Sequence, residues 1–218
     1  CAAVVQAGGR VAWWCLDGAA PEALAQWTVG HGPGLRCELP NRAHAALDAS
    51  DRWLAISDDD VIFTAGDLFG VVDEARKHGL VLAQPSHDPF SFVAYPSLRR
   101  LPCVRARRTN FVEIGPVVVV APQYRHRIMP MPEEFGMGWA LDYRWASEAG
   151  SEWRIGVVDA VSIRHLVPGG RSYSQTPEMR CRLDAERTRW RRTRRSSRLR
   201  LHWSSKLAIG AIRDRIRP

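Results

Sequence analysis

The stretch RWLAISDDDVIF, residues 52–63, decides how the chain is read. Trp53, Leu54, Ala55 and Ile56 form an apolar run that predicts a short buried strand, and Val61, Ile62 and Phe63 close the segment. Between them stand three adjacent carboxylates, Asp58, Asp59 and Asp60. Like charges beside a core repel one another and lose hydration. A divalent cation relieves both costs, and hard oxygen donors suit Mg²⁺ or Mn²⁺. A solvated acidic turn capping the next helix, TAGDLFGVVDEARKHG (64–79), accounts for the same residues. The rest of the chain chooses between the two.

Working toward the N-terminus, GRVAWWCLDG (9–18) predicts a strand ending in the Asp17-Gly18 turn. PEALAQWTV (21–29) predicts a helix opened by Pro21, HGPG (31–34) a loop and LRCEL (35–39) a second short strand. NRAHAALDAS (41–50) predicts a helix with Asn41 as its N-cap. Beyond the acidic strand come a helix over 66–78 and a strand, GLVLAQP, over 79–85. This alternation predicts an α/β fold with a mostly parallel central sheet flanked by helices. Ligands of such sheets bind at the carboxyl ends of strands, where SDDD is expected to sit. That placement favours the cation reading.

The middle of the chain is less regular, and VVVV (117–120) is its clearest strand. PEEFGMGWALDYRWASEAG (132–150) reads as a glycine-rich loop entering a helix that partly buries Ala140, Leu141, Tyr143 and Trp145. GVVDAVSIRH closes a strand predicted over 153–166, with His165 near its end.

The 218 residues are 45% hydrophobic, enough for one sizeable domain with or without an appendage. No apolar run reaches the ~18 residues of a membrane-spanning helix. The chain begins at Cys1 and shows no signal-peptide pattern. Five widely spaced cysteines without a CxxC pair argue against zinc and for a reducing, cytoplasmic setting. The net charge of +8 is concentrated in residues 180–218, which hold 14 Lys and Arg against 3 Asp and Glu. Residues 1–179 are slightly acidic, so the basicity belongs to a tail and not to a nucleic-acid-binding fold. Leu199, Trp203 and Leu207 recur at helical spacing in that tail. A basic amphipathic helix of this kind suits an anionic membrane surface, and a solvated tail is the plainer alternative.

The strand ending in DDD, the later PEEFGMGWALDYRW and the closing GVVDAVSIRH occur in an order that resembles the GT-A (Rossmann-like) fold of nucleotide-sugar glycosyltransferases, family 2 in particular. The likeness covers roughly residues 10–170 and divides the chain into a glycosyltransferase-like domain, 1–179, and a basic helical C-terminal tail, 180–218. It implies a metal-dependent, inverting transfer from a nucleotide-sugar donor to a glycan or lipid-linked acceptor, at the inner face of a membrane.

The resemblance also assigns roles. Asp60 becomes the first metal ligand, with Asp58 beside it or toward the nucleotide ribose, Asp59 near the donor, and His165 approaching metal or diphosphate. Asp142 takes the position of the general base, although Leu141 replaces the first acid of the family's acidic pair; a plain helix N-terminal acid is the alternative. Asp17 matches the base-recognising Asp, or is a turn residue. Asn41 and Arg42 match a donor-contacting NRG segment in which Ala43 replaces Gly. CAAVVQAGG stands where the family has its first strand. Arg171 and Ser172 form a candidate lid. Gln84, His87 and Asp88 follow a strand end and are pocket candidates, as is Glu113, unless it pairs with Arg105, Arg107 or Arg108. Trp139 is placed to stack on an acceptor sugar. The rival readings are a GT-A-like nucleotidyltransferase attacking an α-phosphate and a nucleic-acid-binding metal nuclease using the Arg-rich tail.

Overall fold

The computed structural model describes residues 1–47, 51–150, 152–168 and 176–196, with the backbone alone for 193–196. In chain order the elements are α1 (Ala2–Gln6), β1 (Trp13–Cys15), β2 (Thr28–His31), α2 (Glu38–Ala45), β3 (Leu54–Ser57), β4 (Val61–Ala65) and α3 (Leu68–Lys77). There follow β5 (Leu82–His87), β6 (Arg107–Thr109), β7 (Val117–Val120), α4 (Arg125–Ile128), α5 (Leu141–Ala149), β8 (Ile155–His165) and α6 (Pro177–Ser196).

The fold is mixed α/β with a central sheet flanked by helices. Its strand order is β3-β7-β5-β8-β4, and β6 pairs with β8 as well. The long strand β8 is the axis. Along one edge it pairs in parallel with β5; on the other it meets β6 near Ile155–Val157 and β4 near Ser162–His165, both antiparallel. The expectation of a mostly parallel sheet is therefore corrected, since β5–β8 is the parallel pair within it. Parallel neighbours need a crossover, usually helical. Residues 88–116, between β5 and β7, contain no α-helix, so β7 returns antiparallel and slots between β3 and β5.

Central strands are covered on both faces, as their unbroken apolar runs require. Leu82, Val118, Val120 and Val157 join a core with Leu141, Trp145 and Ala149 of α5. Their immediate neighbours Ala83, Val119 and Val158 join a second core with Val71 and Ala75 of α3. One residue of shift in any strand would exchange the two sets. The start of α3 is fixed by Asp67, whose carboxylate accepts from the Gly70 backbone N–H at 2.8 Å.

Three further expectations change near the N-terminus. Residues 2–6 of CAAVVQAGG are helical, not a degenerate strand. LRCEL is not a strand: α2 begins at Glu38, and Pro40 sits in its first turn, where a missing N–H costs nothing. Asn41 therefore lies inside the helix and does not cap it. PEALAQWTV splits into a 3₁₀ turn, Glu22–Trp27, and β2, whose Thr28 and Gly30 pair with Trp13 and Trp14 in a separate two-stranded parallel sheet.

The boundary drawn at residue 180 falls within α6, which packs on α5. Leu183 and Trp190 pack against the main core, Trp190 donates its indole N–H to the Asn110 carbonyl at 3.0 Å, and Arg144 pairs with Glu186 at 3.0 Å. This much of the basic segment belongs to the folded body. The Leu199, Trp203 and Leu207 stretch lies outside the described residues. Among the described residues no helix is long and apolar enough to cross a membrane. Because the Trp190 ring meets Phe111 and Tyr143 at 6.2 and 5.3 Å, Trp190→Ala should cost about 2–3 kcal/mol, read as a lower urea midpoint.

Candidate active site

Sheet geometry brings the acidic triplet and the late histidine together. Asp58 follows β3 directly, and its backbone N–H donates to the Pro116 carbonyl at 2.8 Å, tying it to the entrance of β7. Val61 pairs with His165 across β4 and β8, and the Leu166 N–H donates to the Asp60 carbonyl. That register sets the His165 Nε2 3.1 Å from an Asp60 carboxylate oxygen, across 105 residues of sequence. Ligand atoms of Asp58, Asp60 and His165 all lie within 4.8 Å of one another. Two carboxylates and an imidazole, all half-buried, are a donor set that fits Mg²⁺ or Mn²⁺. Asp59, between the two acids, is exposed to solvent and stands outside the cluster.

A residue that sequence reasoning missed completes this end. Arg36 donates from Nη1 to Asp58 at 2.6 Å, from the turn before α2. Room for its guanidinium depends on Gly115, where a Cβ would stand 2.4 Å from Nη2 and 3.1 Å from Asp58. Gly138 (φ +84) does the same for the arginine's stem, 3.3 Å from where its Cβ would be. A lone arginine in an apolar segment carries no pattern that announces such a role.

The second focus is Asp142, in the first turn of α5 and only 6% exposed. Its carboxylate accepts from the Tyr143 N–H at 2.8 Å and, at 3.5 Å, from the Tyr95 hydroxyl. Burial pushes its pKa up to about 7, against those hydrogen bonds, which pull it down. Behind it stands an aromatic wall. Phe111 meets Tyr95 and Tyr143 at 4.5 and 5.2 Å, and Trp190 closes the rear. Ala140, which precedes α5, adopts φ +76, a left-handed conformation that costs about 1–2 kcal/mol for a residue with a Cβ. Such strain concentrates at functional sites.

Glu113 stands electrostatically between the two foci. Burial, then the Asp142 charge, push its pKa up to about 8; Arg36 opposes this and Asp58 reinforces it. Pairing with Arg105 or Arg107 is not what is found, because these hold Glu74 at 2.7 Å and the buried Asp159 at 2.9 Å. Gln84 and His87 are fully enclosed and both face Glu113. Gln84 accepts the Glu113 N–H at 2.6 Å, and His87 Nε2 lies 3.9 Å from the Glu113 carboxylate. Trp139 is half-buried in the loop before α5.

Four expected contacts separate from this group. Asn41 spends its amide on the Met131 backbone, accepting at 2.7 Å and donating at 2.8 Å, which pins α2 to the loop after α4. Arg42 pairs with Glu38 and lies over the Trp14 ring at 5.5 Å. Both have partners within the fold, Asn41 on the Met131 backbone and Arg42 on Glu38. Asp17 is an exposed turn residue after β1, a strand of the separate small sheet. Asp88 is taken by Arg164 at 2.6 Å. Arg171 and Ser172 lie outside the described residues.

Asp142 and Glu113 have folded pKa values above their ordinary ones, so the folded state holds protons that the unfolded chain releases. Their burial is without cost below about pH 4 and increasingly destabilising as pH rises through about 7 to 8. Asp142→Asn should therefore raise the melting temperature at pH 8 more than at pH 5, measured by thermal unfolding across that range.

No protein-family model matches the chain, and no curated protein sequence matches it. The functional reading therefore rests on the chemistry of the site.

Proposed function

We propose that this protein is a glycosyltransferase of the GT-A type that moves a sugar from a nucleotide-sugar donor to a hydroxyl of a glycan or lipid-linked acceptor, with Mn²⁺ or Mg²⁺ as cofactor. The observation that carries the reading is the convergence of Asp58, Asp60 and His165, with Asp142, a buried acid of raised pKa, linked to that end through Glu113, which feels the charges of both Asp58 and Asp142. A divalent cation held by those three residues would neutralise the donor's diphosphate as it leaves. Arg36, on Asp58, adds a fixed positive charge at the same end. Asp142, as its carboxylate, accepts the acceptor hydroxyl's proton while the acceptor oxygen bonds to the anomeric carbon and the carbon–oxygen bond to the diphosphate breaks. A base poised near neutrality suits that task, since it is ionised at working pH yet still basic. The Tyr95 hydroxyl and Tyr143 N–H orient the carboxylate. Exposed Phe90 and Phe92, in the loop whose Phe92 N–H donates to the His165 carbonyl, favour an acceptor with an apolar portion.

The test is a screen of nucleotide sugars with Mn²⁺, read as released nucleoside diphosphate. Pyrophosphate released from nucleoside triphosphates instead would identify a nucleotidyltransferase, and cleavage of nucleic acid a nuclease. Asp60→Asn should abolish Mn²⁺-stimulated turnover and weaken Mn²⁺ binding in calorimetry; full activity in EDTA would overturn the metal assignment. Asp142→Asn should leave donor affinity intact and lower kcat by about 10²–10⁴-fold. The wild-type rate should rise with pH to a plateau above about 7, as Asp142 loses its proton, and the variant should lose that dependence.

A further inference from the structure

Between the cation cluster and Asp142 three buried polar atoms have no partner: Gln84 Nε2, His87 Nε2 and Glu113 Oε2. Buried polar groups are nearly always satisfied, and each exception costs about 1–3 kcal/mol. Three orphans on side chains that touch one another mark a place built for something else to complete.

The identity of each atom follows from its neighbours. Gln84 turns its carbonyl oxygen to the Glu113 N–H, so the free end is the amide NH₂, a donor. The Ser91 hydroxyl has one proton, given to the Phe92 carbonyl at 3.0 Å, and it accepts the His165 N–H at 2.9 Å. Its 2.7 Å contact with His87 Nδ1 must then be one in which the imidazole donates. Burial keeps this ring neutral, holding its pKa down at about 4. Nε2 is therefore a bare acceptor. Glu113, 3.9 Å away, is too far to bond it directly. The three unpartnered atoms offer one donor, one acceptor and a carboxyl group capable of either role. A hydroxyl group, which donates once and accepts twice, matches that set.

We propose that Gln84, His87 and Glu113 form a subsite that binds a hydroxyl of the donor's sugar ring. The proposal rests on the glycosyl-transfer reading. Its position supports the donor over the acceptor, because Ser91 joins the His87 ring to the backbone of His165, and Glu113 feels both Asp58 and Asp142. The sugar being transferred must occupy that interval. These are positioning residues, and their selection of one hydroxyl geometry makes them determinants of which sugar is used.

His87→Asn keeps a donor toward Ser91 and deletes Nε2; Gln84→Met removes the free NH₂ at similar volume, together with the oxygen that accepts the Glu113 N–H, so His87→Asn is the cleaner of the two. Calorimetry with Mn²⁺ would compare UDP and GDP with UDP-glucose, UDP-galactose, UDP-N-acetylglucosamine and GDP-mannose. The expected result is an unchanged affinity for the nucleoside diphosphate and an affinity for the preferred nucleotide sugar lowered about ten-fold, the effect of one lost hydrogen bond. Retained melting temperatures for His87→Asn would show that no folding role is involved. Wild-type affinity of both variants for the nucleotide sugar overturns the subsite, leaving the pocket to water or acceptor. Equal loss of diphosphate and nucleotide sugar also overturns it, as structural damage. Should the wild-type protein bind none of the diphosphates, the glycosyl-transfer reading falls and the subsite with it.

Discussion

The register between β4 and β8 is the constraint on which the site depends. Backbone hydrogen bonds across that pair set Val61 opposite His165, and the acid before Val61 then lies against the imidazole. No side-chain attraction could assemble this cluster alone, because two carboxylates repel and an exposed ion pair contributes about 1 kcal/mol or less. The sheet supplies the energy. β8 is held along its length by β5 on one edge and by β6 and β4 on the other, and its apolar residues are fixed by cores on both faces. Arg36 and Gly115 then complete what the strands begin, by allowing a guanidinium into contact with Asp58.

A carboxylate kept out of water is a liability to folding and an asset to proton transfer, and the two effects share one cause. Asp142 is desolvated by its burial, and the two tyrosines that hydrogen-bond it, Tyr95 and Tyr143, stack with Phe111 and Trp190. Burial raises the proton affinity of the carboxyl by making its ionised form less comfortable. α6 reaches this region only through Trp190, which packs on Phe111 and Tyr143.

Much of this was legible from residue types. The triplet stands out in the sequence because charges that interrupt apolar runs are costly, whereas His165 and Asp142 are marked by the resemblance and not by a pattern of their own. VVVV and GVVDAVSIRH were readable as strands because β-branched runs flanked by turn residues have few alternatives. The direction of β7 was not, since a strand's pattern is the same whichever way it runs. Nor was Arg36, whose role arises from approach to a glycine 79 positions along the chain. LRCEL, expected as a strand, instead runs into α2, whose first turn holds Pro40. Asn41 and Arg42 also have partners that their sequence does not announce, the Met131 backbone for one and the Trp14 ring for the other. The basic segment was read by charge as a tail, while Leu183 and Trp190 had already committed part of it to the core.

β4 has a consequence of another kind. It forms an outer margin of the sheet, and its Ile62 and Phe63 are partly open to solvent. An unprotected margin of this sort invites a neighbouring molecule to add a strand, which is how ordered aggregates begin. Here the margin is only five residues long, and it is preceded at once by Asp58, Asp59 and Asp60. A second copy adding there would have to strip water from those carboxylates with no cation of its own to offer. The solvent-facing Asp59 thus has a use even without any contact in the cluster: it serves as a gatekeeper that keeps the acidic corner of the sheet from becoming its stickiest one.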